Sequence, residues 1–225
     1  MIVRGVNIQD DLFNRNQVFT STPGVNGWTL AKTTTAGAPT AQTVTGSSGG
    51  AQLTLAANAE VEVLCLSQGD VLTYAAGLLQ RIDFIVNVAG IDANTTVAFG
   101  LGSARNDNIA TITYAALFKI LGAGSPSAVL VDSRDGANTN TGVATGKALG
   151  ATPLKFSIDF EKGLADVRFF IDGDRVAAGT TFNMSQLPAG QCLQPIIQLQ
   201  KGAGAATPQV TVTRVTVQHR FALGA

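Results

Sequence analysis

Charge is scarce in this chain. Only 13% of its 225 residues are Asp, Glu, Lys or Arg, about half the share usual in a soluble domain. Fifteen basic residues balance fifteen acidic ones. A chain of zero net charge has no electrostatic reason to bind a phosphate backbone or an anionic membrane, so neither nucleic acid nor membrane is an expected partner. Histidine occurs once, as His219, and cysteine twice, as Cys65 and Cys192. Three such residues far apart in sequence do not make a zinc site. A lone histidine with no Gly-x-Ser-x-Gly elbow makes no hydrolytic triad. With one Trp and two Tyr, the aromatic platforms on which sugars or bases stack are few. No apolar run reaches the roughly 18 residues of a membrane span. The opening MIVRGVNIQDDLFNRNQ lacks the apolar stretch of a secretory signal. No cofactor is expected.

What remains is a chain that is 45% hydrophobic and rich in glycine, with 25 residues. Its periodicity is that of strands. Ile82, Phe84, Val86 and Val88 recur at every second position and point one way, and Val97, Phe99 and Leu101 share one face. In 154–161, Leu154, Phe156, Ile158 and Phe160 fall on one side, and Lys155, Ser157, Asp159 and Glu161 on the other. Further runs cover 59–67, 110–121, 166–179, 193–201 and 208–221, with Ile112, Tyr114 and Phe118 at even spacing in the second of these. In the last run Val210 and Val212 are out of phase with Val215 and Val217, which predicts a bulge near Thr213 or Arg214. Trp28 follows a turn, opens a strand and is expected in the core. Helix is expected at most over 72–81 and in the segment MSQLP. Period-two runs separated by turn residues predict an all-β, two-sheet antiparallel β-sandwich with little helix.

No compositional shift divides the chain, so residues 17–225 are expected to form one domain, preceded by an arm over 1–16. The arm either docks on another chain or supplies an edge strand of this one. Tracts of Gly, Ser, Thr and Asn, such as TTTAGAPTAQTVTGSSGG and DGANTNTGVATGKALG, are expected as surface hairpins and edge strands of small residues. Cys65 and Cys192 sit in apolar runs and are expected as buried free thiols, although spacing leaves a bridge between them open.

Candidate chemistry is sparse. Asp132, Asp135 and Asn138, and Asp172 with Asp174, are oxygen-rich but do not match a calcium-loop spacing, and Asp-Gly pairs are ordinary hairpin turns. Asp159 and Glu161 would lie roughly 7 Å apart on one strand face. That spacing fits either a carboxylate pair for glycoside hydrolysis or a solvated face, and the solvated face is the expectation.

The segment LKFSIDFEKGLADVRFFIDGDRVAAGTTFNMSQLP followed by CLQPIIQLQK resembles the concanavalin-like and laminin-G-like jelly-roll family. The residues that carry it are Val167, Phe169, Phe170, Ile171, Asp172, Gly173 and Val176, then Leu193 and Pro195. The resemblance covers the stretch 154–201 and implies a jelly roll. The metal-holding Asp and Asn loops of the family's lectins cannot be placed here, so no metal site follows. In its sparse charge and its Gly/Thr/Ala-rich loops, the whole chain also resembles structural proteins of tailed-bacteriophage virions. That likeness implies a non-enzymatic capsid decoration (cement) protein in the virion, assembled in the host cytoplasm. It would be homo-oligomeric and bind the major capsid protein or other virion proteins. The expected contact residues are the apolar ones of the arm: Ile2, Val3, Val6, Ile8, Leu12 and Phe13. The alternative is a carbohydrate-binding or receptor-contacting tail module using the loops at 132–140 and 106–108. A glycosidase built on Asp159 and Glu161 is a third reading.

Overall fold

The computed structural model describes residues 7–11, 27–35, 40–43, 50–71, 74–124 and 128–220. Strands in chain order are β1 (Asn7–Asp11), β2 (Thr29–Thr34), β3 (Thr40–Thr43), β4 (Ala51–Thr54), β5 (Glu62–Ser67), β6 (Tyr74–Ala75), β7 (Leu79–Ala89) and β8 (Thr95–Gly102). They continue with β9 (Tyr114–Leu121), β10 (Ala128–Asp135), β11 (Thr139–Ala148), β12 (Leu154–Asp159), β13 (Arg168–Ile171), β14 (Asp174–Val176), β15 (Cys192–Lys201) and β16 (Gln209–Arg220). Among the described residues there is no α-helix, only short 3-10 turns at Ala76–Leu78, Ile109–Thr111 and Leu164–Asp166. The first of these falls within the expected helical stretch 72–81, whereas the MSQLP segment is a turn.

The strands form two antiparallel sheets. The first runs β14-β13-β12-β7-β16-β4-β3, with β1 on β16. The second runs β11-β10-β9-β8-β15-β5-β2, with β6 on β15. The all-β sandwich therefore stands as expected. The small-residue tracts supply the edge strands β3 and β11. The register of β16 against β7 shifts between Val212 and Arg214, the position where its valines change phase.

Alternation puts one face of each sheet into a shared core. Phe84, Phe156 and Phe169 from the first sheet meet Phe99 and Phe118 from the second, with ring centroids between 4.9 and 5.7 Å apart. Offset and edge-on contacts at such distances add stability beyond the area they bury. Trp28 belongs to this core. Gly100 has φ +150°, and a methyl group there would lie 2.3 Å from the Ala116 carbonyl oxygen, so the close approach of β8 to β9 requires glycine.

One run departs from its pattern. Periodicity over 110–121 predicts a single strand, yet β9 begins only at Tyr114. Ile112 lies in the preceding segment and joins a second apolar cluster, apart from Phe118. Cys65 and Cys192 are both free thiols, but only Cys65 is buried; Cys192 is half-exposed, which corrects the expectation of two buried ones.

Of the arm, β1 pairs with the C-terminal half of β16, with Ile8 opposite His219. Ile2, Val3, Val6, Leu12 and Phe13 lie outside the described residues.

Candidate functional site

The outer face of the second sheet, turned away from the core, is unlike an ordinary wet face. Alternation places Cys65, Ala98, Ala115, Leu117, Ile196, Gln194, Gln198, Lys119, Asp132 and Arg134 there, because their neighbours Leu64, Val97, Phe99, Ala116, Phe118, Val131 and Ile197 all point into the core. Segment 103–113, which joins β8 to β9, folds back across this face. Ile109 and Ile112, 5% and 3% exposed, pack on Cys65, Ala98, Ala115, Leu117 and Ile196. Gly102 makes room for the contact, since a methyl group there would lie 2.5 Å from Ile196 Cδ1 and 3.4 Å from Ile112 Cγ2.

Polar groups pin the segment. Arg134 Nη1 donates to the carbonyl oxygens of Ile109 (2.9 Å) and Ile112 (3.3 Å), and Gln198 Nε2 donates to that of Asp107 (2.9 Å). Arg105 pairs with Asp107 and donates through Nη2 to Thr33 Oγ1 (3.1 Å), while Thr33 Oγ1 donates to Asp107 Oδ2 (2.9 Å). Asp70 accepts from Arg105 N (3.1 Å) and from the Gln194 side chain. Gln194 Oε1 in turn accepts from Gln68 N and Asp70 N. The result is a rim of planar polar side chains held in fixed orientation. Gln198 Oε1 and Arg105 Nε are shut from solvent and have no hydrogen-bond partner among the described residues. Groups so placed cost about 1–3 kcal/mol each.

Beneath the segment lies one deeply buried carboxylate. Asp132, 0% exposed, takes Lys119 Nζ at 2.8 Å and Arg134 Nη2 at 2.6 Å on Oδ2, and Gly142 N at 2.6 Å on Oδ1. Both oxygens are engaged and two cations hold one charge. Cys65 lies on the floor of the same face, where burial pushes its thiol up to about 12, so it is inert while covered.

The residues singled out from sequence are dispersed. Asp159 closes β12 on the outer face of the first sheet and accepts the Glu161 N–H at 2.9 Å, while Glu161 is exposed in the turn that follows. The two carboxyls do not face each other across a strand. Asn106 and Asn108 cap their own segment, accepting from Asn108 N and Ala110 N. In the 132–140 loop, Asp132 is buried rather than presented. Asp135 accepts from Ala137 N, Asn138 and Gln186 N. Asp172 accepts from Lys155 N in the tight turn between β13 and β14. Among the described residues no group of three or more His, Cys, Asp or Glu is placed to hold a metal ion. His219 packs against Tyr74, with ring centroids 5.3 Å apart. Sequence reasoning missed Lys119, Arg134, Gln198 and Arg105. The one available signal was charge inside an apolar run, as at Lys119 in AALFKIL.

The outer face of the first sheet is wetter. Arg81, Lys155 and Ser157 surround Asp83 beside a depression of about 250 Å³ that also reaches Arg214, Thr216 and Gln218.

Asp135 provides a pH-dependent contribution. Burial pushes its carboxyl up, but the Asn138 side chain and N–H and the N–H groups of Gln186 and Ala137 together outweigh this and hold it below the usual range. A carboxyl with a native pKa below its unfolded value of about 3.9 stabilises the fold above that pH. The contribution is lost as pH falls through the native value. Asp135→Asn is expected to cost about 1–2 kcal/mol at pH 7 and progressively less as pH falls below about 3.9, read as urea midpoints at pH 7 and in acid. An equal loss at both would show that the charge is irrelevant.

No family model and no curated protein matches this sequence. Solved structures do. The carbohydrate recognition domain of Emp47p superposes with a TM-score of 0.60 at 11% identity, covering 94% of each chain. A family 16 endo-glucanase from Bacteroides ovatus gives 0.61 at 12%, covering 93% of this chain and 99% of that one. The Crh5 transglycosylase gives 0.53 at 15%, covering 94% and 83%. The fold of this chain is thus the concanavalin-like jelly roll that its 154–201 region resembles, shared with domains that bind carbohydrate and with enzymes that act on it.

Proposed function

We propose that this protein is a non-enzymatic binding module whose ligand is a carbohydrate, contacted on the outer side of the second sheet. The observation that carries this reading is the state of Asp132. Glycoside hydrolysis needs a protonated carboxyl and a second carboxylate about 5–10 Å away across an open cleft. On this face the buried acid is clamped by Lys119 and Arg134 under a covering segment. Recognition asks less: hydrogen-bonding side chains fixed in advance, so that little order is lost on binding. Asp70, Thr33, Gln194 and Gln198 meet that requirement. The fold's occurrence in carbohydrate recognition domains supports the reading.

The test is a glycan array with wild-type protein and Asp70→Asn. Retention of a defined glycan, weakened about 10-fold or more in the variant, is expected, since hydrogen bonds to a charged group contribute about 1.5–3 kcal/mol. Release of sugar from a retained glycan would overturn the non-enzymatic reading.

A second reading, a virion decoration protein, is favoured by one observation. Strand β1, from the expected arm, adds to the first sheet through a five-residue ladder on β16. A ladder this short at a sheet edge can equally be donated between copies. Deleting residues 2–16 should then abolish co-sedimentation with capsid shells, and unchanged occupancy would remove the arm from the mechanism.

A further inference from the structure

We infer that segment 103–113 is a removable cover, the chain's own occupant of a polar binding face, which a hydroxyl-bearing ligand displaces. The ligand class rests on the carbohydrate reading above; the cover does not. The surface under the segment is not built as a core. It presents Gln194, Gln198, Lys119, Asp132 and Arg134 among Cys65, Ala98, Ala115, Leu117 and Ile196, whereas the core side of the same sheet around Phe99, Phe118 and Ile197 is aromatic and aliphatic. Two apolar side chains, Ile109 and Ile112, anchor the cover, and three of the five residues of their floor, Cys65, Ala98 and Ala115, are small.

Besides the contacts of Arg105 and Asp107 with Thr33 and Asp70 at the rim, the pins are hydrogen bonds from Arg134 and Gln198 to main-chain carbonyls. These are donors that sugar oxygens can take over. The closed form also leaves Gln198 Oε1, an acceptor on the covered face, unpaired, and a hydroxyl group supplies its partner. Opening need not disturb the sheet. Ser103 N donates to the Tyr114 carbonyl oxygen at 2.9 Å, closing the base of the segment, and the β8–β9 ladder continues beyond it from Gly102 and Ala115. A face that must be uncovered before it binds has its apparent affinity reduced by the fraction of molecules that are closed.

Cys65 reports on the cover because it lies beneath it. In a Cys192→Ser background, alkylation of Cys65 by iodoacetamide is followed in native buffer and at low urea. Local opening predicts labelling with a urea dependence far below that of global unfolding. Replacing Ile109 and Ile112 together by Ala should speed labelling about 10-fold or more and strengthen glycan retention on the array by a similar factor. Labelling that follows only global unfolding, in both the parent and the variant, would overturn the cover. Local opening without retention of any glycan would leave the cover standing and remove carbohydrate as its ligand. Glycan retention with labelling through global unfolding alone would do the reverse, leaving a binder with a fixed face.

Discussion

Replacement of Asp132 by Ala is expected to lower the unfolding free energy by about 3–5 kcal/mol, because it leaves two buried cations without their counter-charge. For a chain of this length each kcal/mol corresponds to roughly 2–4 °C, so the melting temperature should fall by roughly 6–20 °C. The size of the effect follows from the geometry. Lys119 and Arg134 are each 6% exposed and share a single carboxylate oxygen, so neither has water to fall back on. Replacing all three by apolar residues of similar volume (Lys119→Met, Asp132→Leu, Arg134→Met) should recover much of the loss, since a well-packed apolar triad carries no desolvation penalty. It should also free segment 103–113, because Arg134 no longer holds the carbonyls of Ile109 and Ile112. Urea denaturation measures the first effect and Cys65 alkylation the second. A single Asp132→Ala variant with wild-type stability would show that the cations are solvated, and that the clamped-acid description is wrong.

Lys201→Met should produce a loss of similar size at the other end of the sheet. Lys201 and Glu62 are both fully buried and stand directly opposite each other across β15 and β5. The ammonium group reaches Glu62 Oε2 at 3.3 Å and donates to the carbonyl oxygens of Ala56 and Asn58 and to Asn58 Oδ1. Glu62 in turn accepts from Ala56 N and Asn58 Nδ2, each at 3.1 Å. The connection between β4 and β5 is thus wound around one ion pair. Removing the cation leaves a buried carboxylate and several carbonyl oxygens unsatisfied, again about 3–5 kcal/mol. Exchange of the amide hydrogens of Ala56 and Asn58, which should accelerate in Lys201→Met, distinguishes a local lock from a general effect. An unchanged urea midpoint would refute the prediction.

These two ion clusters mark where reading from sequence stopped working. Strands β7, β12, β13 and β16 are legible because each has one core face and one wetter face, and alternation is the local consequence of that asymmetry. The bulge in β16 is legible for the same reason, as a phase error in its valines. Strand β10 is not. Asp132, Arg134 and Asp135 look like turn residues in a polar tract, whereas the small-residue tract that follows is legible as the edge strand β11. Asp132 and Arg134 belong to a strand because a distant segment covers them and because Lys119, thirteen residues before Asp132, supplies a counter-charge. Ile112 misleads in the opposite direction. Its spacing to Phe118 imitates a strand, but its burial is provided by Gly102 and Ile196, which no local pattern can reveal.

The candidate site follows the same division. Asp159 and Glu161 are two apart and so attract notice in sequence, but Asp159 ends its strand by capping the turn that carries Glu161 away. The groups that the fold does assemble, Asp70, Arg105, Gln194 and Gln198, are up to 128 residues apart by their own numbering.

The order of residues along the chain was enough to specify two layers of antiparallel strands, their inward side chains and the jelly-roll resemblance. The first two rest on contacts repeated every second residue, and the third on the residues at 167–176 and 193–195. Which outward face is covered, which charges are paired and where a ligand finds donors depended on how segment 103–113 and the ends of β5 and β15 come to rest against one another. Those outcomes arise from single contacts between residues remote in sequence, and a contact made only once leaves no periodic trace.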